Sequence, residues 1–220
     1  MPAIAFVAAV PVAVSAAAAI VAAYRGDQRR VYLFKPLTTL LVIAATLLVF
    51  APADPRYQWW VLLGLVFSLA GDVFLMLGET RFLFGLGSFL VAQLIYARAF
   101  TLGVGPGGAG WPWLAPFAFF ALMVVIVLWK GLPGPVMKAA VVVYAAAIAT
   151  MAWRAAARMH APGVLPAGGA CALAGACLFL ASDATLAVNR FRRPFALGEP
   201  VTLATYWAAQ YLIALSVATP

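Results

Sequence analysis

Apolar residues run along this chain in long unbroken stretches, and the polar residues between them gather in short clusters. Eight stretches can be marked, at approximately 3–24, 35–51, 58–77, 82–102, 112–130, 135–157, 165–188 and 199–218. A helix that crosses a bilayer needs about 20 mostly apolar residues, and the stretches approach that length. Membrane-spanning strands are shorter and alternate apolar with polar positions. No such alternation is present, so each stretch predicts a helix. Turn-forming residues occupy the breaks: Arg25-Gly26-Asp27, Pro52-Ala53-Asp54-Pro55, Gly78-Glu79-Thr80, the Gly-rich run from Gly103 to Gly110, Gly131 to Pro135, Ala161-Pro162-Gly163, and Arg190 to Pro194. The pattern therefore predicts an all-α polytopic membrane protein of about eight transmembrane helices, with residues 1–220 as a single transmembrane domain.

Composition agrees. The chain is 66% hydrophobic and 9% charged, against about 25% charged in globular domains, which excludes an ordinary soluble fold. A net charge of +8 would suit nucleic acid, but its placement argues otherwise. Loops one, three, five and seven are predicted to hold Arg25, Arg29, Arg30, Lys35, Arg81, Lys130, Lys138, Arg190, Arg192 and Arg193, ten of the basic residues. The opposite side holds four: Arg56, Arg98, Arg154 and Arg158. Positive charge marks the cytoplasmic face, so eight spans would leave both termini on the non-cytoplasmic side, and no nucleic-acid partner is expected. The first stretch has no basic residue ahead of it, which argues against a secretory signal. Cys171 and Cys177 lie in one apolar stretch and read as packing residues. With His160 the sole histidine, no metal site is expected. Trp59, Trp60, Trp111 and Trp113 lie at stretch ends and read as interfacial anchors.

The third and seventh stretches carry similar endings, Ala70-Gly71-Asp72-Val73-Phe74-Leu75 and Ala181-Ser182-Asp183-Ala184-Thr185-Leu186. Each precedes a helix containing Ala-Gln, at Ala92-Gln93 and Ala209-Gln210, and Lys35 and Lys138 open helices two and six. Lys, Asp and Gln thus recur in the same order four helices apart, as in a parallel repeat of two four-helix halves.

Asp72 and Asp183 are the residues most at odds with their surroundings. An aspartate at the centre of a span costs roughly 2.5–3.5 kcal/mol on insertion scales, so a functional role is the default reading. The plainer alternative is that each caps a neighbouring helix or pairs with Lys35 or Arg81. Tyr206 and Gln210 share a helix face, as do Gln93 and Tyr96, and Ser68 lies one turn before Asp72. Singly these residues would be interhelical glue. Together they predict one polar pocket lined by helices two, three, four, seven and eight. Two carboxylates in one pocket divide their roles, one keeping its proton while the other stays ionised. Such a pair suits hydrolysis through an oxocarbenium ion. It also suits a proton-coupled transporter or channel for a small polar solute, and the residues alone do not choose.

Gly71-Asp72-Val73-Phe74-Leu75-Met76-Leu77 and Phe84-Gly85-Leu86-Gly87-Ser88-Phe89-Leu90-Val91-Ala92-Gln93-Leu94-Ile95-Tyr96 resemble the YhhN family of lysoplasmalogenases. So do Lys35-Pro36-Leu37, Ser182-Asp183-Ala184-Thr185-Leu186-Ala187 and Tyr206-Trp207-Ala208-Ala209-Gln210-Tyr211-Leu212-Ile213. Gln93 departs from the His expected there in many relatives. The resemblance implies a multi-pass hydrolase of the cell membrane, the inner membrane in a bacterium. Its substrate would be a lysophospholipid of the lysoplasmalogen type, drawn from membrane lipid, and no metal or organic cofactor is implied. Its vinyl ether bond would be cleaved to a fatty aldehyde and a glycerophospho-alcohol. On this reading Asp72 and Asp183 are catalytic, one donating the proton and the other stabilising the cation or activating water. Gln93, Tyr96, Tyr206, Gln210 and Ser68 would position water and substrate, and Lys35, with Arg190, Arg192 or Arg193, would hold the phosphate at the membrane surface.

Overall fold

The computed structural model describes residues 3–49, 52, 54–104 and 110–218. Within them the chain forms eight α-helices: α1 (Ala3–Arg25), α2 (Gln28–Leu47), α3 (Pro55–Met76), α4 (Phe82–Thr101), α5 (Ala115–Leu128), α6 (Gly134–Met159), α7 (Pro166–Phe191) and α8 (Gly198–Ala218). Seven helices are long and apolar enough to cross a membrane, and α5 with its 3₁₀ lead-in forms a shorter apolar segment, Pro112–Leu128. Positions 50–51 of the second predicted helix, part of the 103–110 turn and the Trp111 side chain lie outside the described residues.

Two helix ends differ from the sequence reading in ways that matter for the site. α2 begins at Gln28 rather than near 35, because the Asp27 carboxylate accepts a hydrogen bond from the Arg30 backbone N–H at 3.2 Å and caps the first turn. Arg29, Arg30 and Lys35 are therefore helical, not loop residues, and Lys35 lies two turns inside α2. α7 continues to Phe191 instead of ending near 188, which brings Arg190 onto the helix. The cause is polar but helix-compatible sequence, Asn189-Arg190, beyond the apolar run that marks the span.

Helix packing follows a recurring pattern. α1 packs on α2, α2 on α3 and α3 on α4; four helices later α5 packs on α6, α6 on α7 and α7 on α8. The cross-contacts recur too, with α2 against α8 and α6 against α4. The pattern breaks at α5, which has no counterpart of the α1–α8 contact because it does not pack closely on α4.

Small residues allow the closest approaches. A Cβ on Gly175 of α7 would lie 2.9 Å from the Ala209 carbonyl oxygen of α8, and one on Gly71 of α3 would lie 2.6 Å from the Phe89 ring of α4. Tyr96, Phe100, Phe179, Leu65, Met151 and Ile213 are fully buried between the helices. The outer surface is itself apolar, with Phe119, Leu122 and Ile126 of α5, Leu94 of α4 and Leu63 and Val66 of α3 exposed. That distribution suits a chain whose lateral solvent is hydrocarbon.

Candidate functional site

Each aspartate is gripped by two other helices, and the two grips are related by the same four-helix shift. Asp72 of α3 accepts hydrogen bonds on Oδ2 from Thr39 Oγ1 of α2 and from the Tyr206 hydroxyl of α8, both at 2.8 Å. Asp183 of α7 accepts on Oδ2 from the Tyr144 hydroxyl of α6 at 2.6 Å and from Gln93 Nε2 of α4 at 2.9 Å. Helix α2 corresponds to α6, and α8 to α4. The helices that hold the acids thus recur four apart, but the residues do not: Gln93 donates to Asp183 whereas Gln210 accepts from Tyr96, and Lys35 pairs with Asp72 whereas Lys138 sits over Trp129.

The chemical settings differ. Lys35 Nζ lies 3.8 Å from Asp72 Oδ1, with side-chain exposures of 12% and 2%. Asp72 is therefore a buried, ion-paired carboxylate, and Lys35 is drawn inside rather than placed at the membrane surface. No ion pair reaches Asp183 among the described residues. Both of its donors are neutral and both use Oδ2, which leaves Oδ1 without a hydrogen bond from the described residues.

Asp183 lines a cavity that is open on one side and encloses about 730 Å³ of empty space with that open side included. The walls are almost wholly apolar: Phe82, Leu86 and Phe89 of α4, Phe120, Val124 and Leu128 of α5, Ala145 and Ile148 of α6, Leu180 and Leu186 of α7, and Leu75 of α3. Tyr144, Asp183 and Arg190 supply the polar groups. The cavity exists because α4 and α5 face each other across it without packing closely. This cavity is not the pocket expected on helices two, three, four, seven and eight: α5 and α6 wall it in place of α2 and α8, and Asp72 is not on its lining. Phe89, which is on the lining, packs edge-on against Tyr206 at 5.7 Å between ring centroids, and the Tyr206 hydroxyl rests on Asp72. An aromatic layer therefore stands between Asp72 and the cavity.

The remaining predicted site residues form a buried polar cluster among α3, α4 and α8. The Tyr96 hydroxyl donates to Gln210 Oε1 at 2.7 Å. Ser68 Oγ, Gln93 Oε1 and Gln210 Nε2 are buried without a hydrogen-bond partner, a polar deficit of the kind that internal water fills. Tyr144 was not singled out by sequence reasoning; a lone tyrosine in an apolar helix reads as packing until its partner is known. Among the described residues no three His, Cys, Asp or Glu side chains come together as a metal-ligand set.

Comparison with known proteins adds a family. The chain is 39% identical over 154 residues to "Lysoplasmalogenase TMEM86B" of Sus scrofa, covering 70% of this chain and 61% of that protein. It is 36% identical over 163 residues to "Lysoplasmalogenase TMEM86A" of Bos taurus, covering 71% and 64%. It thus spans somewhat less than two thirds of the length of these relatives. It is 27% identical over 210 residues to "Uncharacterized membrane protein YhhN" of Escherichia coli O6:H1, covering 94% and 97%. No solved structure matches. Residues 31–217 match the YhhN family, and the chain is a multi-pass membrane protein belonging to that family.

Proposed function

We propose that this protein is an ether hydrolase that cleaves the vinyl ether bond of a lysoplasmalogen to a fatty aldehyde and a glycerophospho-alcohol, with Asp183 as the proton donor. The observation that carries the reading is Asp183 itself: among the described residues, a carboxyl with one oxygen uncommitted and no cation paired with it, on the wall of an open apolar cavity. The names of the mammalian relatives point to the same reaction.

The chemistry follows from the setting. A vinyl ether is protonated on its β-carbon. Asp183 Oδ1–H delivers that proton, and the α-carbon and ether oxygen become an oxocarbenium ion. The carboxylate left behind is held by Tyr144 and Gln93, whose donors both strengthen as charge develops on the acid. Water adds to the α-carbon and returns a proton to Asp183. The resulting hemiacetal collapses to aldehyde and alcohol, so the acid ends the cycle as it began. A chain entering between α4 and α5 would lie along apolar walls, with its vinyl ether at the one acidic group they contain.

Asp72 takes a different part from the one expected of a paired acid. Paired with Lys35 and separated from the cavity by Phe89 and Tyr206, it holds α2, α3 and α8 in register and so positions that aromatic layer. The ten-to-four division of basic residues supports an orientation with the Arg190 end of α7 in the cytoplasmic leaflet and, with eight spans, both termini on the other side.

The test is aldehyde release from a lysoplasmenyl lipid by purified protein, with the ester analogue as control. Asp183→Asn should lower the rate by about 10²–10⁴-fold, the range for loss of a general acid, while the protein stays folded. Asp72→Asn strands Lys35 in the interior, and its main effect should be a lower thermal midpoint. Full activity in Asp183→Asn would end this mechanism. A folded Asp72→Asn protein with an equally large loss would restore Asp72 as the second half of an acid–base pair.

A further inference from the structure

Ten basic residues are predicted on one side of this protein, yet Arg190 alone among them lies on the cavity lining. Lys35 is committed to Asp72, and Lys138 sits over the Trp129 ring at 5.0 Å. Arg192 and Arg193 follow the end of α7 and do not line the cavity.

Arg190 follows Asp183 by seven residues, about two helical turns or roughly 10 Å along the same face of α7. The glycerol backbone of a lysophospholipid separates its phosphate from its first chain bond by a distance of that order. The guanidinium carbon lies 3.9 Å from the centroid of the Phe82 ring, which fixes the plane of the group and leaves its N–H edge for a ligand. Its carboxylate partner is weakly held. Arg190 Nη2 is 3.7 Å from Glu79 Oε1, and the Glu79 side chain is 92% exposed, so a better anion can displace it at little loss.

We propose that Arg190 binds the phosphate of the lipid substrate and so sets the protein's preference for a phosphorylated head group, with Glu79 occupying the guanidinium until substrate arrives. This rests on the hydrolase reading for the identity of the lipid but not for the existence of the phosphate site. A planar guanidinium with five donors recognises two phosphate oxygens at once. Placed at one end of an apolar cavity, it selects single-chain amphiphiles whose phosphate lies a fixed distance from the reacting bond.

Two substrates separate this role from a structural one: a 1-alkenyl-glycerophosphocholine and the corresponding 1-alkenylglycerol, which lacks the phosphate. Arg190→Ala should raise KM for the phospholipid by about tenfold or more, the loss expected for a charge-assisted bond, and leave KM for the alkenylglycerol unchanged. Arg190→Lys should fall between wild type and Ala, and Glu79→Gln should keep KM at or below the wild-type value. Glycerophosphocholine should compete with substrate in wild type and not in Arg190→Ala. An equal rise for both substrates, or no rise for either, would overturn the assignment. Inhibition by inorganic phosphate with none by glycerophosphocholine would also overturn it, by placing a free anion at the guanidinium. The non-hydrolysable 1-O-alkyl lysophospholipid and 1-O-alkylglycerol give the same comparison by binding alone. Failure of vinyl ether cleavage is thereby distinguished from failure of the phosphate site.

Discussion

At the scale of single residues, two aspartates of one protein fare differently because their neighbours differ. Asp72 has Lys35, Thr39 and Tyr206, which together meet its charge. Among the described residues Asp183 has only Tyr144 and Gln93, on one oxygen. Tyr144→Phe removes one of those donors while keeping the ring that lines the cavity, so turnover should fall by about tenfold, as for a lost hydrogen bond to a charged group, with KM for the lipid nearly unchanged. Steady-state aldehyde release measures both. The aspartates were legible in the sequence because a charge inside an apolar stretch is costly and conspicuous. Tyr144 was not, because its importance lies in facing Asp183 across the α6–α7 contact, and a register between helices is not written in either helix alone. Lys35 stood out as polar, and its pairing with an aspartate was the plainer of the two readings; the structure pairs it with Asp72. Once Asp27 caps α2 and starts the helix early, Lys35 falls inside the bundle beside Asp72 rather than at the surface.

At the scale of helices, hydropathy was a sound guide to number and type, and a poorer one to ends. Apolar runs mark the part of a helix that lies in hydrocarbon. Caps and polar end turns extend the backbone beyond it, as at Gln28 and at Asn189-Arg190. The extension of α7 is what puts Arg190 two turns from Asp183 on one face. The Lys–Asp–Gln recurrence was legible as spacing, and its counterpart in space is that each acid is held by the preceding helix and by the last helix of the other half. Close packing supports these grips. A side chain on Gly175 would meet the Ala209 carbonyl and Ile213 of α8. Gly175→Val should therefore destabilise the protein by about 1–3 kcal/mol, the usual result of overpacking, read as a lower thermal midpoint in detergent. An unchanged midpoint would mean that α7 and α8 can part without cost.

At the scale of the whole molecule, the cavity follows from one departure from the repeat. α1 closes on α8, whereas α5 stays off α4, and the gap between them becomes an open apolar cavity with one acid on its wall. Sequence reasoning placed the pocket on the helices that carry the polar motifs. The structure builds this cavity on α3 to α7, because an apolar cavity is made by where helices fail to meet. If Asp183, fixed in this cavity, protonates the vinyl carbon, the proton reaches that carbon from one side. The most direct test is hydrolysis of a lysoplasmenyl lipid in D₂O, with the aldehyde trapped at once by reduction. The expected product carries a single deuterium on the carbon next to the former carbonyl, in one configuration. A product without deuterium there, or with both configurations in equal amounts, would contradict that role of Asp183.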